Sequence, residues 1–229
     1  MKTVSDRRKY LILLLLLLGP GVILIYLANA DHKFKTLPYF GEREWVAGSP
    51  DTIYHRVPDI TLIDQDSLPF HMSDMDGKIV VADFFFTTCP SICPIMTMQM
   101  TRLQWVLEDP AFKDVRFLSH TVNPKNDTPA VLKAYAKQQG ADLNLWTFVT
   151  GDEEVIWNHG FEGYLISAQQ DDAAPGGFLH SSMFVLLDRE RHIRGFYDGT
   201  STAEVDNLVI DIKMLLKEEK MKESEKLKA

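Results

Sequence analysis

The stretch KIVVADFFF, Lys78 to Phe86, constrains the fold more than any other part of this 229-residue chain. It is nearly continuous in Ile, Val, Ala and Phe, the pattern of a strand buried on both faces of a sheet. Helices must then cover that sheet. A helix-like segment, Ile95 to Glu108, follows, and VRFLSHTV, Val115 to Val122, repeats the buried-strand pattern. Asn126-Asp127-Thr128-Pro129 opens the next helix, with Thr128 suited to the N-cap, Pro129 to the first turn and Gly140 to the stop. Two successive βα units imply parallel strands and an α/β fold.

The flanking segments extend this frame. Ile60 to Ile63 and Leu68 to His71 read as short strands that pair, with a turn at Asp76-Gly77. Leu145 to Thr150 reads as a short strand and Glu153 to His159 as a short helix. SMFVLLD and HIRGFYDG form a hairpin across DRER. Ser201-x-x-Glu204 is a capping box ahead of an apolar face on Val205, Leu208, Val209, Ile212, Leu215 and Leu216. This order, with one cysteine-bearing loop after the first central strand, suits a thioredoxin-like domain: a central mixed sheet flanked by helices.

The N-terminus is of another kind. Lys2, Arg7, Arg8 and Lys9 precede an uncharged, leucine-rich run from Leu11 to Ala28. Its 18 residues approach the length of a transmembrane helix, although Gly19-Pro20-Gly21 should weaken it. The basic flank predicts an N-in orientation with the domain on the outer, extracytoplasmic side of the cell membrane. Ala28-Asn29-Ala30 also fits a signal-peptidase site, so a cleaved leader is the competing reading; the long apolar run favours the uncleaved anchor. The expected layout is a cytoplasmic basic tail (1–10), the anchor (11–28), a linker (29–49), the folded domain (50–217) and a charged tail that frays into solvent (218–229). Without residues 1–30 the chain carries 20 Lys+Arg against 31 Asp+Glu, a net −11, which excludes a phosphate-neutralising nucleic-acid binder.

The only cysteines are Cys89 and Cys93, in TTCPSICPIM. A disulfide between them would close so small a ring that it could add little stability. Each precedes proline, which disfavours α conformation; the helix is then expected to start at Pro94, with Cys93 near its N-cap and favoured as thiolate by the helix dipole. The pair lies past the carboxyl end of a central strand, where α/β sheets place their sites. The spacer is one residue longer than that of dithiol oxidoreductases, and two soft thiolates plus an imidazole suit Cu(I) and can accept Cu(II). Among seven histidines, His180 stands out, because it follows Gly176-Gly177 and directly precedes the strand SMFVLLD. In a thioredoxin-like fold that position faces the cysteine loop. His120, in a central strand, reads as a packed residue. His32, His55, His71, His159 and His192 lie elsewhere. Met96, Met98 and Met100 read as core or contact residues rather than ligands.

Three segments resemble the Sco/SenC family of copper-binding proteins: FFFTTCPSICPIM its F-T-x-C-P-x-x-C-P signature, VNPKNDTPAVLKAYA its D-P-x-R-D-T-P segment, and FLHSSMFVLLD its histidine segment. The likeness spans 50–216. It implies a thioredoxin-like fold, an N-terminal anchor, and copper held by Cys89, Cys93 and His180 for delivery to the Cu(A) site in a copper-receiving subunit of cytochrome c oxidase. Other copper carriers or thioredoxin-like reductants are further partners. It also implies that Ser182 stands near where general thioredoxins keep a cis-proline. The family's first Asp and its Arg are here Asn123 and Asn126, while Asp127 matches. The alternative is a thiol-disulfide oxidoreductase in which Cys89 and Cys93 form a redox-active pair that reduces the recipient's cysteines; a peroxidase is more distant.

Overall fold

The computed structural model describes residues 4–29, 36–45, 52–166, 168–170 and 178–226. The chain divides into two compact units, Met1–Lys35 and Thr36–Ala229. In the first, helix α1 runs from Val4 to Asn29 and passes through Pro20 without a break. The expected weakening at Gly19-Pro20-Gly21 does not interrupt it; one lost amide is outweighed by the leucines on either side, which are strong helix formers. Among the described residues no helix is long and apolar enough to cross a membrane.

The second unit contains, in chain order, β1 (Arg43–Trp45), β2 (Thr52–Tyr54), β3 (Thr61–Asp64), β4 (Pro69–His71), β5 (Ile79–Phe85), α2 (Cys93–Val106), β6 (Val115–Thr121), α3 (Pro129–Gln139) and β7 (Trp146–Thr150). α4 (Glu153–Asn158), β8 (Ala168–Gln170), β9 (Phe178–His180), β10 (Met183–Leu187), β11 (Ile193–Asp198) and α5 (Thr202–Lys226) complete it. Seven strands form one sheet in the order β11-β10-β5-β6-β7-β3-β4. β5, β6 and β7 are parallel, and the strands outside them are antiparallel, so the sheet is mixed as expected. Every residue of β5 is buried.

Alternation along β5 and β6 divides the core. Asp83 and Phe85 share one face with Ser119; Phe85 meets Tyr135 of α3 and Phe148 of β7. Phe84 lies on the other face, stacked on His120 with ring centroids 4.6 Å apart, against Tyr164. The α3 boundaries follow their signals: Thr128 is the N-cap, and Gly140 ends the helix at φ +68°.

Three features depart from simple patterning. Arg43–Trp45, inside the stretch read as a linker, pairs with Thr52–Tyr54, and Leu37 is buried. β8 and β9 form a separate antiparallel ribbon. Finally, α5 continues to Lys226 instead of fraying after Lys217. Its extension has a partner: Glu218 pairs at 2.9 Å with Arg194, whose buried guanidinium also reaches Asp188 and the Leu37 carbonyl.

Candidate functional site

The chain leaves β5 at Phe85 and turns through residues 86–92 into α2. The Cys89 amide donates to the Phe86 carbonyl at 3.2 Å, closing a tight turn centred on Thr87-Thr88. Cys89 and Cys93 are both buried, with Cys93 only 1% exposed. Helix α2 begins at Cys93 itself, with Ile92 as N-cap already in the right-handed region at φ −85°, ψ −30°. The expected start at Pro94 is therefore one residue late, and Pro94 falls in the first turn, where its missing amide costs nothing.

The two sulfurs differ in acidity, in the reverse of the expected sense. Burial pushes the Cys93 thiol far up; the neighbouring sulfur and the Asp83 carboxyl add to this, and a backbone contact with Phe86 opposes it without prevailing. Burial also acts on Cys89, but there the backbone at Ser91 and Cys93, the Cys93 thiol and the Ser91 hydroxyl outweigh it, and its pKa is held below the usual thiol value. Ser91 Oγ lies 3.6 Å from Cys89 Sγ. Cys89, not Cys93, is the more acidic thiol of the pair. A helix N-terminus supplies a favourable dipole, but Cys93 sits inside the core above a carboxylate, and desolvation wins.

That carboxylate is Asp83, the single acid in KIVVADFFF. It is buried and accepts a short hydrogen bond from Ser119, which in turn accepts one from Trp146 Nε1 at 2.8 Å. Burial pushes its pKa up to about 7 against the Ser119 hydrogen bond. Beside it, burial raises Tyr135 to about 12, although its hydroxyl hydrogen-bonds Thr97 at 2.8 Å. Sequence reasoning passed over Asp83, yet the signal was there: an acid in a strand that has no wet face.

Asp127, also fully buried, receives the Thr87 amide at 3.0 Å and the hydroxyls of Thr87 and Thr121. Asn126 donates to it at 2.8 Å, and the backbone N–H of Asn123, where the family pattern has Asp, donates to Thr121 Oγ1 at 3.0 Å.

His180 closes β9, opposite Ala168, and Ser182 immediately precedes β10. β10 runs antiparallel to β5, pairing Val185 with Ala82 and Leu187 with Val80. Its start therefore lies beside the end of β5 from which the cysteine loop departs. The side chain of His180 lies outside the described residues, as does the whole of His32. Among the described residues no group of three His, Cys, Asp or Glu side chains assembles a metal site. The remaining histidines have other surroundings. His55 bonds the Gly163 carbonyl at 2.7 Å, His71 meets Thr61, and His192 meets Asp188. His120 and His159 are buried together against Tyr164. Met96 and Met100 are core residues, and Met98 is exposed.

Fold and sulfur pair together define a thioredoxin-like α/β domain with a dithiol at the end of its first central parallel strand. Residues 52–217 match the SCO1/SenC family model, and the chain belongs to that family. It is 30% identical over 167 residues to the SCO1 protein homolog of Bacillus subtilis, covering 71% of this chain and 84% of that protein. It is 34% identical over 79 residues to a putative copper-binding protein of Stutzerimonas stutzeri, covering 34% of this chain and 39% of that one. Among solved structures it resembles BsSco, described as a member of the Sco family of cytochrome c oxidase assembly proteins with a disulfide switch. That match has a TM-score of 0.63 at 29% identity, over 71% of this chain and 94% of that chain.

Proposed function

We propose that this chain binds one copper ion through Cys89, Cys93 and His180 and delivers it to the Cu(A) site of cytochrome c oxidase during assembly. The observation that carries the reading is the sulfur pair itself: two soft donors in hydrogen-bond contact at a strand end, beside the start of β10, to which His180 leads. The naming of a related protein for copper and of another for oxidase assembly supports it. The helical run 11–28 serves in this reading as an uncleaved anchor, N-in, that holds the domain at the outer face near its recipient. Copper is cargo here, so the ligand set has to release it as well as hold it.

The test is metal analysis of the purified chain with titration by Cu(I) and Cu(II). About one copper per chain is expected from a single ligand set. Cys89→Ala/Cys93→Ala should abolish binding, and His180→Ala should weaken Cu(II) binding far more than it lowers the unfolding midpoint. Unchanged Cu(II) affinity in the His180 variant removes that residue from the site. Exposure of the domain to added protease in intact spheroplasts, and its retention in membranes at high pH, test the anchor.

A second reading is favoured by the split acidity. A Cys89 thiolate can attack a target disulfide, forming a mixed disulfide and expelling one target thiolate. Cys93 then loses its proton and attacks Cys89 Sγ, releasing the second target thiol and leaving the Cys89–Cys93 disulfide. Reduction of the recipient's cysteines by the copper-free chain, without copper affinity, would put this reading first.

A further inference from the structure

We infer that Asp127 is a positioning residue: it fastens the cysteine loop to the end of β6 and thereby sets the approach of Cys89 to Cys93. Its carboxylate is fully buried, and all its described partners are neutral donors. A buried carboxylate is costly unless hydrogen bonds saturate its oxygens, and here they do. Oδ1 accepts from the Thr87 hydroxyl and from Asn126; Oδ2 accepts from the Thr87 amide at 3.0 Å and from the Thr121 hydroxyl.

The choice of donors carries the inference. Two of the four come from Thr87, 40 positions away in sequence and two before Cys89. Asn126 adds a contact to Thr87 Oγ1 at 3.3 Å. Thr87 is inside the turn that the Cys89 amide closes on Phe86, so holding Thr87 fixes the direction in which Cys89 leaves the turn. Cys93 needs no such device, because the first turn of α2 already holds it in the core. The pair thus has one sulfur set by a helix and one set by a carboxylate. Without Asp127 the loop gains conformations in which the sulfurs are apart, and any joint act of the pair must first restore the close one.

This rests on Cys89 and Cys93 acting together, but not on what they act upon, so the test uses the copper-free full chain. In glutathione buffers the pair equilibrates as dithiol plus oxidised glutathione against intramolecular disulfide plus two reduced glutathiones. Asp127→Ala should lower the constant for disulfide formation about tenfold, equivalent to about 30 mV. Asp127→Asn, which keeps one accepting oxygen, should fall between. Thr87→Val removes the hydroxyl and spares the amide bond, and should shift the constant in the same direction by about threefold. Urea unfolding is measured in parallel. A destabilised Asp127→Ala with an unchanged constant would make Asp127 merely structural and overturn the proposal. If that variant does not fold, Thr87→Val decides: an unchanged constant overturns it equally. A shifted constant in a protein that binds no copper leaves the positioning role standing and removes the copper reading alone.

Discussion

Asp83, whose charge reaches the Cys93 thiol, has its carboxyl pushed up to about 7 by burial, and this has a measurable consequence for stability. The folded chain holds the Asp83 proton more tightly than the unfolded chain, in which the group titrates near 3.8. Between those values the folded state binds more protons, so stability falls as pH rises, and the loss is complete above about 7. The full separation corresponds to about 4 kcal/mol, of which about 3 kcal/mol falls between about pH 5 and about pH 8. Asp83→Asn keeps the shape and an oxygen for Ser119 but cannot ionise. The stability of the variant relative to wild type should therefore rise with pH, by about 3 kcal/mol over that range. His159, lowered to about 4 by burial and by Arg191, titrates in the opposite sense, but it is common to both proteins and cancels in the difference. Urea unfolding under reducing conditions reads the margin through fluorescence of Trp146, which is linked to Asp83 through Ser119. Parallel stability profiles for the two proteins would refute the reasoning, because they would mean that Asp83 never ionises inside the fold.

Two further outcomes follow from the same structure. With its acidity raised and its sulfur less enclosed, Cys89 should be alkylated by iodoacetamide well before Cys93 at neutral pH; equal labelling by peptide mass spectrometry would contradict the assignment of the thiolate. Arg194→Ala should cost about 3 kcal/mol, because it removes a buried guanidinium shared by Asp188 and Glu218 and leaves them only His192 and Lys222 as charged partners, and amide exchange should then show α5 fraying beyond Lys217. Retained protection there would mean that α5 is held by other contacts.

Elements whose pattern is local were legible in the chain. The apolar run of β5, the capping signals of α3 and the apolar face of α5 each announce themselves within one segment. Features made by distant residues were not. Cys93 looks activated to any rule that sees only Pro94 and a helix start; burial in the folded core reverses that outcome, and Asp83, ten positions earlier, adds to it. The tail after Lys217 looks like a solvated charge run until Arg194 on β11 supplies a buried partner for Glu218. Asp127 was visible only as a motif match, and its four donors come together through the neighbouring ends of β5 and β6.

The division of acidity also bears on which cargo the pair prefers. Forming a disulfide and binding a metal both require Cys93 to give up its proton, against burial and against Asp83. The products differ in charge. A disulfide is neutral and gains nothing from a carboxylate below it. A cation between the sulfurs is attracted by that carboxylate, and the attraction is strong where water is excluded. In the copper reading, ionisation of Asp83 above about pH 7 would favour the cation-loaded pair more than mildly acidic conditions do. Asp83→Asn should weaken Cu(I) binding more than it changes the glutathione equilibrium of the same thiols. An equal effect on both would mean that the carboxylate acts only on Cys93, and the electrostatic case for metal over electrons would fall with it.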